Sequence, residues 1–158
     1  MATFSKPDIR QAIASDADGM SAVLAPILQG WNSARPFDPA HVLAHYVEHT
    51  DRVSCVVGID NAGTVLGFQS LKVARSGNIY DLPEGWGIIG TYVAKAAAGH
   101  GVGRLMFDAI LKHAKAYGLQ DIDATIGADN SGGRAYYGAL GFQPYRDLPG
   151  AVGARFPV

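Results

Sequence analysis

The spacing of apolar positions along this chain changes from one stretch to the next, and each change marks an element. Residues 8–13, DIRQAI, place Ile9 and Ile13 on one side and predict a first strand. Met20, Val23, Leu24, Ile27 and Leu28 then recur at three- and four-residue steps, a helical stripe ending near Gly30. Ser15 or Asp16 stands where a cap for that element is needed. Trp31 to Pro39 is a connection, with Arg35-Pro36 favouring extended backbone. Asp38-Pro39 opens a second helix, whose apolar side is Val42, Leu43, Tyr46 and Val47. Residues 53–60 and 64–74 read as two strands joined by a hairpin turn at Asn61-Ala62-Gly63. A loop from Ser76 to Gly85 follows.

The most informative stretch comes next. A β-branched run, Ile88-Ile89-Gly90-Thr91-Tyr92-Val93, predicts a central strand. Small residues follow, then glycines at alternate positions, Gly99, Gly101 and Gly103. Beyond them Val102, Leu105, Met106, Ala109, Ile110 and Ala114 adopt helical period, up to a stop at Gly118. Strand, glycine loop and helix together suit an anion. The first amides of a helix have no acceptor within it, the helix dipole adds positive charge there, and glycine lets a ligand approach the backbone. Phosphate or pyrophosphate is the ligand such a site favours. The Walker pattern is absent, and Arg104 occupies the third-glycine position of G-x-G-x-x-G. Neither nucleotide fingerprint is met.

Downstream, residues 121–128 alternate as a strand. Asn130 or Ser131 can cap a short helix that Gly141 ends, Phe142 begins a further strand, and a last strand is expected near 151–156. The predicted order is β-α-α-β-β-β-α-β-α-β, a mixed α/β sheet in one domain spanning 1–158.

Composition narrows the reading further. A chain of 158 residues, 48% hydrophobic and 17% charged, suits one soluble core. A net charge of -1 argues against general nucleic-acid binding. No run approaches the roughly 20 apolar residues of a membrane span, and the N-terminus lacks a signal-peptide core, so a cytoplasmic protein is expected. Cys55, the single cysteine, sits in an apolar strand and reads as core. His41, His45 and His49 recur at four-residue steps on the second helix. With neither H-E-x-x-H nor a cysteine nearby, they read as a polar helix face, with the lining of an acceptor pocket as the alternative, and no metal is expected.

Two motifs carry a resemblance to the GNAT superfamily of N-acetyltransferases. Ala98-Gly99-His100-Gly101-Val102-Gly103 is similar to the family's Gln/Arg-x-x-Gly-x-Gly/Ala loop, and Asn130 with Tyr137-Gly138-Ala139-Leu140-Gly141-Phe142 is similar to its Asn…Tyr-x-x-x-Gly-Phe segment. Within the superfamily, the start IRQAIASDAD and the run TYVAKAAAGHGVG resemble the amino-acid and phosphinothricin N-acetyltransferases. The resemblance implies a single-domain, mostly antiparallel sheet flanked by helices, with acetyl-CoA as co-substrate and a primary amine of a small molecule as acceptor.

It also implies roles for particular residues. Tyr92 and Val93 would hold the pantetheine arm and polarise the thioester carbonyl. Residues Ala98 to Arg104 would bind the pyrophosphate, and Asn130 would border the cofactor. Tyr137 would protonate the departing thiolate. Ala98 departs from the family's Gln or Arg, which implies a lost side-chain contact and weaker binding. For the base, Glu84 comes first, followed by His100, His45 and water. Arg35 or Arg75 could meet an acceptor carboxylate. An acyl-CoA-binding domain without catalysis, a nucleotide-binding domain, an acetyltransferase acting on a protein or peptide amine, and a homodimer stay open.

Overall fold

The computed structural model describes residues 5–158. Among the described residues, seven strands form one sheet in the order β1-β2-β3-β4-β5-β7-β6. In chain order the elements are β1 (Asp8–Gln11), α1 (Ala17–Gly30), α2 (Pro39–Val42), β2 (Arg52–Ile59), β3 (Val65–Val73) and β4 (Gly87–Val93). They continue with α3 (Val102–Tyr117), β5 (Asp121–Gly127), α4 (Ser131–Leu140), β6 (Gln143–Leu148) and β7 (Ala151–Pro157). All neighbouring strands run antiparallel except β4 and β5. No helix among the described residues is long and apolar enough to cross a membrane.

Two apolar clusters cover the two faces of the sheet. Met20, Leu24 and Leu28 of α1 pack with Val42, Tyr46, Phe68 and Tyr92 on one side. Met106, Phe107 and Ile110 of α3 pack with Leu71, Ile89, Ile122 and Phe142 on the other. Strand alternation therefore turns Phe68 and Tyr92 toward α1, and Leu71 and Ile89 toward α3.

Three expectations are corrected. The first strand ends at Gln11, so Ile13 stands outside it, 55% exposed, and residues 14–16 form a 3-10 turn. Asp16 precedes α1 without a side-chain cap bond, because its carboxylate is held by the Arg10 guanidinium at 2.7 and 2.8 Å and by the Ile13 amide. The second helix is one α-turn capped by Asp38, whose carboxylate accepts from His41 N, and it then widens into a π-helical segment over Leu43–Val47. The final strand is a full sheet member. β7 lies between β5 and β6, a placement that local pattern does not encode.

A candidate acyl-CoA and acceptor cleft

The parallel pair β4–β5 is joined only at Gly87↔Ile122 and Ile88↔Asp123. Beyond Ile88 the strands share no further pairs, although β4 continues to Val93 and β5 to Gly127. The sheet is therefore split at its centre. A cleft of ≈ 1160 Å³ runs through the split. One end is walled by Ala98, Gly99, Gly101 to Arg104, Asn130 and Tyr137, and the other by Arg35, His45, Lys72 and Tyr80.

At the first end, a 3-10 turn (Lys95–Ala97) lifts the chain off β4 and delivers it to α3. Gly101 is the N-cap residue at φ 82, a left-handed conformation that a side chain would strain. An ideal Cβ there meets nothing within 4 Å, so the space beside it is open cleft. Leu105 N donates to Gly101 O, so the amides of Val102, Gly103 and Arg104 precede the helical ladder. Gly103 is small for another reason: a Cβ would lie 2.6 Å from the Tyr136 ring. The Arg104 guanidinium crosses to the Ala139 carbonyl at 3.2 Å, tying α3 to α4 while facing the cleft. Asn130 caps α4, accepting from Gly133 N at 2.9 Å. These open glycine positions and unladdered amides fit a pyrophosphate.

Tyr137 is 8% exposed, and its hydroxyl lies 2.8 Å from Thr91 Oγ1 on β4, beside the split. Burial pushes its ionisation well above the ordinary tyrosine value, so the phenol keeps its proton. Tyr136 lines the same cleft, but its hydroxyl is engaged, donating to Gly103 O at 2.8 Å and accepting from Gln69 Nε2 at 2.9 Å. Burial pushes Tyr136 up to about 12.

The acceptor end lies on the α1 face. Tyr92, expected beside the cofactor, turns its ring there, 4.9 Å from Phe68 and 6.0 Å from Tyr46 between centroids. Its hydroxyl accepts from Arg35 at 3.1 Å. Only its backbone, with that of Val93, belongs to the split strand. Lys72 projects its ammonium 5.2 Å from the Tyr46 ring centroid, and burial lowers its pKa to about 8. His41 and His45 stack at 4.8 Å, and His49 meets His45 edge-on at 6.0 Å. Burial, then the charge of Lys72, lowers His45 to about 4, so it is neutral near pH 7.

Two sequence candidates fall outside this arrangement. Glu84 is exposed on the loop before β4 and does not line the cleft, so the expected base is not in place. His100 is likewise exposed and off the lining, because the loop's left-handed turns at Gly99 and Gly101 direct the cleft surface through the glycines. Cys55 is fully buried and pushed up to about 12, an inert core thiol. Sequence reasoning missed Lys72, Thr91 and Gln69. A lysine and a glutamine inside the mostly apolar run of β3 were the available signal.

The fold is that of N-acetyltransferases. A GCN5-related N-acetyltransferase from Kribbella flavida superposes with TM-score 0.80 at 20% identity, over 97% of this chain and 98% of that one. The yncA acetyltransferase from Salmonella typhimurium, solved with acetyl-CoA, gives 0.79 at 20% identity, over 97% and 94%. A phosphinothricin acetyltransferase from Sinorhizobium meliloti in complex with acetyl-CoA gives 0.75 at 19%, over 98% and 89%. No curated protein sequence matches the chain. The acetyltransferase (GNAT) family model matches residues 21–142, and the chain belongs to that family. It is thus a GNAT-family acetyltransferase, a family that takes its acetyl group from acetyl-CoA.

Proposed function

We propose that residues 1–158 act as one acetyl-CoA-dependent N-acetyltransferase domain whose acceptor is a small-molecule primary amine bearing an anionic group, as an amino acid does. The observation that carries the acceptor class is an unbalanced pair of cations. Arg75 at the acceptor end is matched by Asp51 at 2.8 Å, but Arg35 and Lys72, which line the same end, form no ion pair among the described residues. A charge held against aromatic rings without a counter-ion favours an anionic guest. Trp31, Tyr46 and Tyr92 leave apolar surface beside it for the guest's carbon skeleton.

At the other end, the amides of Val102 to Arg104 and the Arg104 side chain would take the pyrophosphate, with Ala98, Gly99 and Asn130 along its path. Acetyl-CoA supplies the acyl group and a thiol leaving group. The unpaired edge of β4 would receive the pantetheine arm, and an amide at Tyr92 or Val93 would stabilise negative charge on the carbonyl oxygen. Tyr137 holds a proton at the split and would serve as the acid.

Initial-rate measurements with acetyl-CoA should show α-amino acids accepted over their amides and methyl esters. Arg35→Gln should raise the acceptor KM by about tenfold for the acid and little for the amide, as loss of a charged hydrogen bond predicts. Equal rates for acid and amide would remove the anionic-acceptor reading while leaving the transferase. Acetylation confined to peptide amines would replace it with a macromolecular acceptor.

A further inference from the structure

Between the glycine loop and Tyr137 runs a chain of hydrogen bonds, and the direction of each but the last is fixed by its partners. The Gly103 carbonyl can only accept, so Tyr136, 2.8 Å away, spends its one proton there. Tyr136 must therefore accept from the Gln69 side-chain atom 2.9 Å away, which makes that atom the amide nitrogen. The same nitrogen lies 2.8 Å from Thr91 Oγ1 and donates its second proton to it. Thr91 then has its own proton to place. Tyr137 Oη lies 2.8 Å from Thr91 Oγ1, and Tyr136, which also lies near Thr91, already accepts from Gln69.

We propose that Gln69 and Thr91 are positioning residues that aim the Tyr137 proton into the cleft: Gln69 donates to Thr91, Thr91 donates to Tyr137, and the phenol O–H is left unclaimed by the protein. This rests on the reading of Tyr137 as the acid. Gln69 is 0% exposed, yet its Oε1 has no partner. Turning the amide over would present an acceptor to Tyr136 and Thr91 together and break the chain of donors. A buried carbonyl left unpaired in a fully enclosed side chain is a feature that stability alone would remove. The same glutamine, through Tyr136, also touches the first turn of α3. The proton donor and the pyrophosphate loop are thereby set by one side chain.

The test compares Thr91→Val, which keeps the side chain's shape but not its hydroxyl, with Thr91→Ser, which keeps the hydroxyl. Thr91→Val should lower kcat by about tenfold, the effect of one misdirected hydrogen bond, with an unchanged KM for acetyl-CoA. Thr91→Ser should stay within about twofold of wild type. Tyr137→Phe should cost about 10²-fold or more, and adding Thr91→Val to it should cost nothing further, because the threonine acts only through the phenol. A readout independent of turnover is the thiol of bound CoA, titrated by its ultraviolet thiolate absorption. An O–H aimed at the sulfur stabilises the thiolate, so the bound thiol pKa should rise by about one unit in Thr91→Val. If Tyr137→Phe is slow but Thr91→Val keeps both kcat and the bound thiol pKa, the positioning role is wrong and the acid stands. Effects of Thr91→Val and Tyr137→Phe that multiply would likewise overturn the role, since Thr91 would then act by another route. If Tyr137→Phe is itself fast under chemistry-limited conditions, the acid assignment fails and the positioning role falls with it.

Discussion

Ala98 stands on the cleft wall where the resembled motif carries Gln or Arg. Its backbone is extended, at φ -62 and ψ 139, a conformation open to any residue, and its side chain is exposed. Nothing local therefore opposes a longer side chain. Ala98→Arg should tighten CoA binding by about 1 kcal/mol, the net worth of one added hydrogen bond, with the melting temperature unchanged. Calorimetry showing no gain would mean that another group, with Arg104 nearest at hand, already covers that part of the phosphate. Gly101 is the contrasting case three residues on. At φ 82 any side chain is strained by about 1–2 kcal/mol before a ligand is considered. Gly101→Val should therefore lower both the melting temperature and the CoA affinity. The sequence shows two small residues in one loop, and only the backbone angles separate a replaceable one from an obligatory one.

At the scale of elements, the histidines of α2 and its π-helical extension show how packing sets a titration. His45 is wedged between His41 and His49 and faces Lys72. Its folded pKa of about 4 lies below the unfolded value near 6.5. The unfolded chain binds the extra proton across that interval, so stability should fall as pH drops from about 6.5 to about 4 and level off below. A series of melting curves should show His45→Asn losing less stability than wild type over this window. Parallel curves would mean that His45 is more hydrated than its packing indicates.

The elements differ in how far local pattern reveals them. α3 and the glycine loop were legible because a 3.6-residue stripe and left-handed glycines are local properties. α4 was legible from its asparagine cap and terminal glycine. The π-helical segment was not, since Leu43 to Val47 keep apolar spacing that an α-helix would also satisfy. Lys72 and Gln69 were hidden for a related reason. Alternation assigns them to opposite faces of β3 but cannot say that one face meets Tyr46 and the other Tyr136. Phe107, absent from the expected stripe, is buried because Phe142 and Phe156 close over it at 5.6 and 5.3 Å.

Across the whole molecule, the two residue pairs that join β4 to β5 have a mechanical consequence. β1 to β4 form one antiparallel leaf, and β5, β7 and β6 form another. Along the seam the leaves are stitched by backbone only at its base. A guest lying in the seam would replace missing rungs of the ladder, so the substrate acts as a rivet between two leaves. At a hundredfold excess over Kd, such a guest adds about 2.7 kcal/mol to stability. For a chain of this size that raises the melting temperature by about 5–10 °C. Hydrogen exchange should slow most at residues 89–93 and 124–127, on both sides of the seam. Protection confined to the α3 end would show a guest held by its phosphates alone, with the leaves still free to breathe. Slowing on both sides of the seam would mean that the unliganded enzyme rests as a loosely hinged sheet, and that the supply of acyl donor governs how long the folded chain survives proteolysis.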